Sequence, residues 1–297
     1  MLSTKQLRYF DALARTGHFG RAAEQCAVTQ PALSMQIAQM ETALGVRLIE
    51  RRASGIILTD AGREIARRVA NILVELRDIS SFAAHAQAPL SAPLKLGVIP
   101  TIAPYLLPGL LDALDQKHPD LAIEVRETLT QNLVAELTAG QIDLLVLALP
   151  VEHAEVETHA LMADRFLLAV PRDRKFTARA QISPELIRND RLLLLEEGHC
   201  LRDQALNVCN LVPSGRNDRL GASSLSTLVQ MVARGLGLTL LPEISIAHET
   251  ARSEVKLVRF QNPEPKRTIG LAWRRTSPRK RDFLALGGLI KDALKAA

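Results

Sequence analysis

The segment from Gly20 to Gly45 reads GRAAEQCAVTQPALSMQIAQMETALG, and it carries the signals of two helices joined by a tight connection. Pro31 suits the first turn of the second helix, behind an N-cap region, and Gly45 suits the end of that helix. One face of this helix carries small and amide side chains, which are the kind that read base edges in a major groove. The opposite face is predicted to be a buried stripe of Leu33, Ile37, Met40 and Leu44.

The sequence after this helix predicts a two-stranded wing. It runs from Arg47 to Gly62, and it places Arg51 and Arg52 where they can meet DNA phosphates. An ordinary three-helix bundle with a polar surface would explain the helix lengths equally well. The lengths alone therefore do not establish DNA binding.

Three short motifs narrow the choice. Gly20–Ala23, Val28–Ser34 and Leu58–Gly62 together resemble the winged helix-turn-helix of the LysR-type transcriptional regulators. This resemblance implies a DNA-binding domain over residues 1–60, in which the helix from Pro31 to Leu44 reads double-stranded operator DNA. The residues predicted to contact DNA are Thr29, Gln30, Pro31, Ser34, Gln36, Arg51 and Arg52.

Residues 61–88 predict a long linker helix with a coiled-coil seam, because apolar residues recur at four- and three-residue steps. A single helix packed on its own domain would give the same pattern. The resemblance favours dimerisation, which presents two recognition helices to the half-sites of a palindromic operator. Residues 89–93 are predicted to be a hinge, since prolines and small polar residues cannot continue the helix. The predicted seam consists of Ile65, Val69, Ile72, Leu76 and Ile79.

Residues 94–297 alternate short apolar segments with helical segments, which predicts a parallel α/β sheet. In the LysR-type family this region is a two-lobed regulatory domain that resembles periplasmic binding proteins. By that resemblance, lobe I covers about 94–163 and 267–297, and lobe II covers about 164–266. The predicted fold class is therefore α/β, preceded by a winged helix-turn-helix and a long linker helix.

The segment from Gly198 to Cys209 holds two of the three cysteines and follows a strand predicted at Leu192–Leu195. Its glycine suits the turn from strand to helix, so Cys200 is predicted at a helix N-terminus, where thiolate is favoured over thiol. A continuous helix to Cys209 would separate the two Cα atoms by roughly 13.5 Å. A disulfide needs about 4.4–6.8 Å, so bonding them requires the helix to unwind. The alternative is two small apolar residues buried on one helix.

Some charged neighbours of Cys200 are expected to favour its thiolate form and others its protonated form. His199 and Arg202 favour the thiolate if they face the sulfur, whereas Glu196 and Glu197 oppose it. Spacing alone favours two structural cysteines. The helix start and the adjacent histidine favour a reactive thiol once they are taken together with the resemblance of this segment described below.

Two threonines follow predicted strands at the carboxyl ends where open α/β sheets bind ligands. Thr101 follows the first strand of the regulatory region and Thr130 follows the second. The alternative for each is an N-cap residue that satisfies backbone donors. Without further information, the N-cap interpretation is favoured for both threonines.

A closer resemblance rests on Val98–Pro108, Gly198–Cys209 and Pro263–Thr268, which are similar to the peroxide-sensing branch of the LysR-type family. It implies a hydrogen-peroxide-sensing transcriptional activator that is switched by a reversible disulfide between a peroxidatic Cys200 and a resolving Cys209. It also implies a tetramer formed through the regulatory domains. The implied partners are hydrogen peroxide, the glutathione or thioredoxin system and, as a further candidate, RNA polymerase. The implied peroxide pocket contains Thr101, Thr130, His199, Asp203 and Arg267.

Two other functions stay open at this point. A LysR-type regulator could instead bind a small organic effector between its lobes and keep its cysteines as structural residues. An enzyme, a thiol peroxidase tethered to DNA, is disfavoured because no cofactor motif is present. We also predict no metal site, since His199, Cys200 and Cys209 give at most three ligands without a recognisable spacing.

Length, charge and cysteine content limit the number of domains, the possible partners and the cellular location. A chain of 297 residues predicts about two domains, and a net charge of +5 permits nucleic-acid binding without establishing it. We predict a cytoplasmic protein without a membrane partner, because no signal peptide and no run of about 20 apolar residues is visible. Three cysteines argue against a structural disulfide framework, and Cys26, among alanines, is predicted to be a small core residue.

Overall fold

The computed structural model describes residues 2–52, 55–85, 90–174, 181–187, 190–208 and 221–296. Cys209, the predicted resolving cysteine, lies outside these ranges, as do residues 86–89 where the predicted linker helix meets the predicted hinge. The chain forms two compact units, Met1–Ala83 and Ala84–Ala297. No helix in the described ranges has both the length and the apolar character needed to cross a membrane.

The N-terminal unit is three helices, a two-stranded wing and the start of a long helix. Local signals set the helix ends: Ser3 forms a capping box with Gln6, Thr29 accepts a hydrogen bond from the backbone N–H of Ala32, and Gly45 adopts a left-handed conformation. The elements are α1 (Thr4–Thr16), α2 (Phe19–Gln25), α3 (Gln30–Leu44), β1 (Ile49–Arg52), β2 (Gly55–Leu58) and α4 (Asp60–His85). A single apolar core under these elements includes Phe10, Leu13, Leu33, Ile37, Met40 and Leu48.

The predicted seam on α4 divides into two parts. Ile65 and Val69 pack against the core of their own unit, and Val69 is only 2% exposed. The exposed part of the seam lies further along the helix, at Ile72 (47% exposed), Leu76 (37%) and Ile79 (67%). The same apolar periodicity on one helix therefore describes two different surfaces. One is buried in the core of the N-terminal unit, and the other is exposed to solvent.

The C-terminal unit alternates strands and helices around one long sheet. Its helices are α5 (Ala103–Lys117), α6 (Thr130–Thr138), α7 (Cys200–Val208), α8 (Leu225–Ala233), α9 (Ile246–Thr250) and α10 (Lys280–Ala296). Its strands are β3 (Leu94–Val98), β4 (Ile123–Glu127), β5 (Leu144–Leu149), β6 (Val156–Pro171), β7 (Gln181–Ile182), β8 (Leu194–Leu195), β9 (Gly221–Ala222), β10 (Thr239–Pro242), β11 (Val255–Phe260) and β12 (Lys266–Arg274).

The sheet order is β4-β3-β5-β12-β6-β11-β7, and β10 also pairs with β6. The predicted parallel pairing holds for β4, β3 and β5, whereas β12 and β6 pair antiparallel to their neighbours. The first part of β6 pairs with β12, and its last residues pair with β10 and β11. One strand thus serves both lobes of the two-lobed regulatory domain.

The strand predicted at Leu192–Leu195 is shorter than expected. Only Leu194 and Leu195 form a strand, and they pair in parallel with β9. Leu192 contributes a single bridge to Leu238. All four leucines are nevertheless buried or half-buried, because the segment lies under the packed face of this lobe.

The described part of the predicted hinge is bonded to the regulatory domain. An Asp282 carboxylate oxygen accepts a hydrogen bond from the backbone N–H of Leu90 at 3.2 Å. The Arg279 guanidinium donates to the carbonyls of Pro93 and Ala92 at 2.8 and 3.1 Å. The chain is therefore fixed to the start of α10 from Leu90 onward.

Candidate functional site

Cys200 is the first residue of α7, and a glycine turn places it there. Gly198 has φ +92°, and a Cβ built on it would lie 2.9 Å from Cδ1 of Leu129. Both the left-handed backbone and the close approach favour glycine. The turn brings the sulfur against the start of α6, where Thr130 is the first residue.

A small pocket beside this cysteine is closely packed and leaves no room for a water molecule. Its walls include the segments that follow β3 and β4, which is where the sequence places the ligand edge of the sheet. Even a ligand of very few atoms therefore enters only when these side chains move apart. Its lining residues are Ile99, Pro100, Thr101, Leu129, Thr130, Gly198, His199 and Cys200.

Neither predicted threonine acts as an N-cap. The N-cap positions of α5 and α6 are Ile102 and Leu129, and neither makes a side-chain capping bond. Thr101 instead accepts hydrogen bonds from Arg267, at 2.9 Å on its hydroxyl oxygen and 3.1 Å on its carbonyl. The Thr130 hydroxyl is buried and makes no hydrogen bond of normal geometry with the described protein groups.

Arg267 is a fully buried cation held by a fully buried carboxylate. Its Nε donates to Asp164 at 2.8 Å, and both side chains are 0% exposed. The other oxygen of Asp164 accepts from the backbone N–H of Ile244 at 3.2 Å. Because a buried charge is stable only when it is paired and hydrogen-bonded, Asp164 is what permits Arg267 to sit beside the pocket. The sequence prediction missed Asp164, which lies 103 residues from its partner.

The pKa of the Cys200 thiol is raised, which is opposite to the predicted direction. Burial is the largest cause, and Asp203 adds to it; Arg267, the Thr130 hydroxyl and the backbone N–H of Leu201 lower the pKa but do not outweigh burial. The helix N-terminus therefore acts as expected, through Leu201, but it is a minor contribution. The free thiol waits mainly in its protonated form.

His199 does not supply the positive charge that the sequence prediction gave it. Burial lowers the pKa of His199, although Glu196 opposes this, so the imidazole is neutral at pH 7. Arg202 donates to the carbonyl of Leu195 at 3.2 Å. The group that lowers the pKa of Cys200 most is Arg267, from a distant strand.

Tyr105 and Glu249 form a second contact that sequence reasoning missed. The Tyr105 hydroxyl donates to a Glu249 carboxylate oxygen at 2.7 Å, which joins α5 to α9. Burial and this hydrogen bond raise the pKa of Tyr105, while Arg267 lowers it. Arg267 thus acts electrostatically on both Cys200 and Tyr105.

The predicted DNA-contacting residues lie at the start of α3 and on the wing. Thr29, Gln30 and Pro31 are exposed around the first turn, and Gln36 is half-buried. Arg52 is exposed on β1. These positions leave the first turn of α3 open to a ligand from solvent.

Arg51 is held in place by two contacts within the N-terminal unit. Its guanidinium donates to the Ser34 hydroxyl at 2.8 Å and lies 4.9 Å from the centre of the Phe19 ring. These two contacts orient the guanidinium that is predicted to meet a DNA phosphate before any DNA is bound.

Glu41 fixes the wing to α3, a role that the sequence prediction missed. Its carboxylate accepts hydrogen bonds from the backbone N–H groups of Leu48 and Ile49 at 2.7 and 3.3 Å. The only signal for it in the sequence is a carboxylate eight residues before the wing strand, which is too common to be diagnostic. In the described ranges, no cluster of three or more His, Cys, Asp or Glu side chains could hold a metal ion.

Comparison with known proteins now gives the family. Residues 4–63 match the bacterial regulatory helix-turn-helix proteins of the lysR family, and residues 87–295 match the LysR substrate binding domain. A probable hydrogen peroxide-inducible genes activator of Streptomyces viridosporus is 41% identical over 295 residues, covering 99% of this chain and 95% of the relative. The DNA-binding transcriptional dual regulator OxyR of Escherichia coli K12 is 37% identical over 290 residues, covering 98% and 95%.

Solved structures agree with these matches. Full-length OxyR of Pseudomonas aeruginosa, with a cysteine replaced by aspartate, has a TM-score of 0.81 and 37% identity, and the match covers 98% of this chain and 95% of that one. A hydrogen-peroxide-bound cysteine-to-serine mutant of Corynebacterium glutamicum OxyR has a TM-score of 0.70 and 34% identity, covering 99% and 93%. The chain therefore belongs to the LysR family of DNA-binding transcriptional regulators, within its OxyR branch.

Proposed function

We propose that this protein activates transcription in response to hydrogen peroxide, which it senses through Cys200. The observation that carries the proposal is a free thiol at a helix start, in a small closely packed pocket, with the Thr130 hydroxyl and a buried guanidinium that both favour its thiolate. Relatives described as peroxide-inducible gene activators support the same assignment. So does the OxyR structure described as peroxide-bound.

The first chemical step converts the thiol to a sulfenic acid. The Cys200 thiolate attacks one oxygen of hydrogen peroxide, the O–O bond breaks, and the second oxygen leaves as hydroxide and takes a proton to become water. The sulfur loses two electrons and the peroxide gains them. Because the pocket raises the thiol pKa, only a small fraction is thiolate at neutral pH, and the groups that lower it are Arg267 and Thr130.

The leaving hydroxide needs hydrogen-bond donors. The Thr130 hydroxyl is suited to this role because it already faces the Cys200 sulfur and makes no hydrogen bond of normal geometry with the described protein groups. Arg267 orients Thr101 through two hydrogen bonds, and neutral His199 lines the same pocket. Asp203 is exposed on the first turn of α7 and acts on the sulfur through its charge rather than as a donor.

The second step forms a disulfide with Cys209. The Cys209 thiolate attacks the sulfenic sulfur, the S–O bond breaks, and hydroxide leaves as water with the proton of the second thiol. Since α7 stays helical through Val208, residue 208 is roughly 12 Å along the axis from Cys200. Such a bond therefore requires α7 to be remodelled, and the disulfide holds a second conformation of the regulatory domain.

The conformational change has to reach DNA through the N-terminal unit. We assign DNA binding to residues 1–60, dimerisation to a linker at 61–88, a hinge to 89–93 and sensing to 94–297, with lobe boundaries near 163 and 267. Pairing of regulatory domains into a tetramer would let the disulfide change the spacing of four DNA-binding domains. Re-reduction by the glutathione or thioredoxin pool places this cycle in the cytoplasm.

The decisive test combines thiol mass spectrometry with DNA footprinting after brief treatment with near-equimolar peroxide. We expect a Cys200–Cys209 disulfide together with a changed footprint on operator DNA. Cys200→Ser is expected to lose the footprint change completely, whereas the matched control Cys26→Ser is expected to keep it. A footprint that still responds in Cys200→Ser would contradict the assignment.

The competing function is a regulator that binds an organic effector between its lobes. The closely packed space at Cys200 has no room for such an effector, which would have to bind elsewhere in the regulatory domain. Thiols that stay reduced under peroxide, together with tight binding of a metabolite to the regulatory domain, would favour the effector over the proposed redox switch.

A further inference from the structure

One large apolar side chain stands exposed in the middle of the DNA-facing helix. Met35 on α3 is 55% exposed, whereas the buried residues of α3 are Leu33, Ile37 and Met40. At about 100° per residue, Met35 points almost directly away from that buried stripe. The N-terminal unit therefore leaves its thioether uncovered.

The surroundings of Met35 would allow close approach of a flat partner. Its neighbours at i−4, i+3 and i+4 are Pro31, Ala38 and Gln39, and all three are exposed. Two of them, Pro31 and Ala38, have short side chains, so the methionine side chain extends further from the helix than they do. Ser34, one residue earlier, is already occupied by the Arg51 guanidinium at 2.8 Å.

The chemistry of the major groove offers one apolar partner. Each base edge there presents hydrogen-bond donors or acceptors, and only thymine adds a methyl group, at C5. A thioether donates no hydrogen bond and accepts only weakly, so it cannot read donor and acceptor patterns. Methionine is flexible and polarizable, which suits contact with an isolated methyl group.

We propose that Met35 is a specificity-determining residue that contacts the C5-methyl group of a thymine in each operator half-site. The proposal rests on the DNA-binding function described above and adds the identity of a base. A cation near the same turn of α3 is consistent with this placement, since Arg51 bonds Ser34, the residue before Met35, and lies over the Phe19 ring. Gln39 is the adjacent group that can add hydrogen bonds to a neighbouring base.

The test uses the full-length protein and a binding site selected from a random duplex library. Each thymine of the selected site is replaced in turn by deoxyuridine, which removes only the methyl group, and the Kd is measured. We expect replacement at one thymine per half-site to weaken binding about four-fold, the loss for one buried methyl-sized group. In Met35→Gln, which keeps side-chain length and helix propensity, the same replacement should have no effect.

Thr42→Ala is the matched control, because Thr42 is exposed on the same helix two turns later. Its thymine scan should equal that of the wild type. Equal deoxyuridine effects in wild type and Met35→Gln would overturn the assignment to Met35, as would a scan in which no thymine matters. Failure of the wild type to select any sequence would overturn the DNA-binding function itself and the inference with it.

Discussion

Two free cysteines, Cys26 and Cys200, sit at opposite ends of helices. Cys26 caps the C-terminus of α2, where its backbone N–H donates to the Ala22 carbonyl at 3.0 Å. Cys200 begins α7. Burial raises the pKa of both thiols, and each has an arginine nearby that opposes burial: Arg15 for Cys26 and Arg267 for Cys200.

The comparison shows that acidity alone does not identify a reactive cysteine. Both thiols are weaker acids than a free cysteine, and each has an aspartate that raises its pKa further. They differ in helix end and in what surrounds the sulfur. Of these two cysteines, Cys200 is the one that combines the positive end of a helix with a nearby hydroxyl, Thr130, which can stabilise the leaving hydroxide.

Removing the buried cation Arg267 should have the largest effect on the difference in reactivity between Cys200 and Cys26. We expect Arg267→Gln to slow Cys200 oxidation about 100-fold, as loss of a preorganised electrostatic group does. It should also destabilise the domain by about 3–5 kcal/mol, because Asp164 is left buried without its partner. Stopped-flow oxidation and denaturant unfolding measure the two effects.

Arg165→Gln is the matched control for this change. Arg165 precedes Phe166 on β6 and bonds the surface carboxylates Glu243 and Glu264 at 2.6 and 3.1 Å. Since these ion pairs are partly exposed, the loss should stay within about 1 kcal/mol and leave oxidation unchanged. Arg267→Lys, which keeps the charge but not the planar fork, should lie between the two. Equal oxidation rates in wild type and Arg267→Gln would remove Arg267 from the mechanism.

The Thr130 hydroxyl should lower the stability of the domain and raise the oxidation rate of Cys200. Thr130→Val keeps the shape and removes a buried hydroxyl whose hydrogen bond to the Cys200 sulfur lacks normal geometry, so the domain should gain about 1 kcal/mol of stability. Oxidation of Cys200 should slow roughly ten-fold, because a donor to the sulfur and to the leaving hydroxide is lost. A variant that is both less stable and equally reactive would show that the hydroxyl is structural.

Raising the pH should increase the reactivity of Cys200 by a smaller factor. Because its pKa is raised, the thiolate fraction at neutral pH is small and grows with pH, which predicts about three-fold faster oxidation at pH 7.5 than at pH 7.0. A rate that is flat over this range would mean that the thiolate is already fully formed.

Stability should move in the opposite direction. The folded chain holds the Cys200 proton more tightly than the unfolded chain, whose cysteine pKa is about 8.5. The contribution of this thiol to the free energy of unfolding is therefore present below that pH and is lost as pH rises above it. Denaturant unfolding between pH 7 and pH 9.5, with Cys200→Ser as the reference, measures it.

The smallest expected effect belongs to the other cysteine. Cys26→Ser is expected to change neither oxidation nor DNA binding, and to alter stability by less than about 1 kcal/mol because Cys26 is only partly buried. A slower peroxide response in this variant would place a second redox group in the N-terminal unit.

Local signals carried much of the fold. The ends of α3 follow from Thr29 and Gly45, and the start of α7 follows from Gly198, because caps and glycine turns depend on adjacent residues alone. The alternating strands and helices of the regulatory domain were likewise readable, since periodicity reports burial.

Features that depend on distant packing were not readable. The pKa of Cys200 was predicted in the wrong direction, since its main cause is burial by segments far away in the chain. Asp164 gave no signal because its partner Arg267 is 103 residues away. The predicted seam on α4 looks uniform in the sequence because periodicity shows only that the apolar residues share a face. It does not show that Val69 is buried within its own unit whereas Ile79 is exposed to solvent.

The small volume around Cys200 also decides which oxidants the protein can tell apart. The side chains around Cys200 leave no room for a molecule as large as glutathione disulfide, so the proposed sensor thiol would be screened from the thiol–disulfide balance of the cell. The reductants that would reset the proposed disulfide are also large, and they would reach it only after α7 has opened. Activation and reset would then use different entrances, and neither reaction would simply reverse the other.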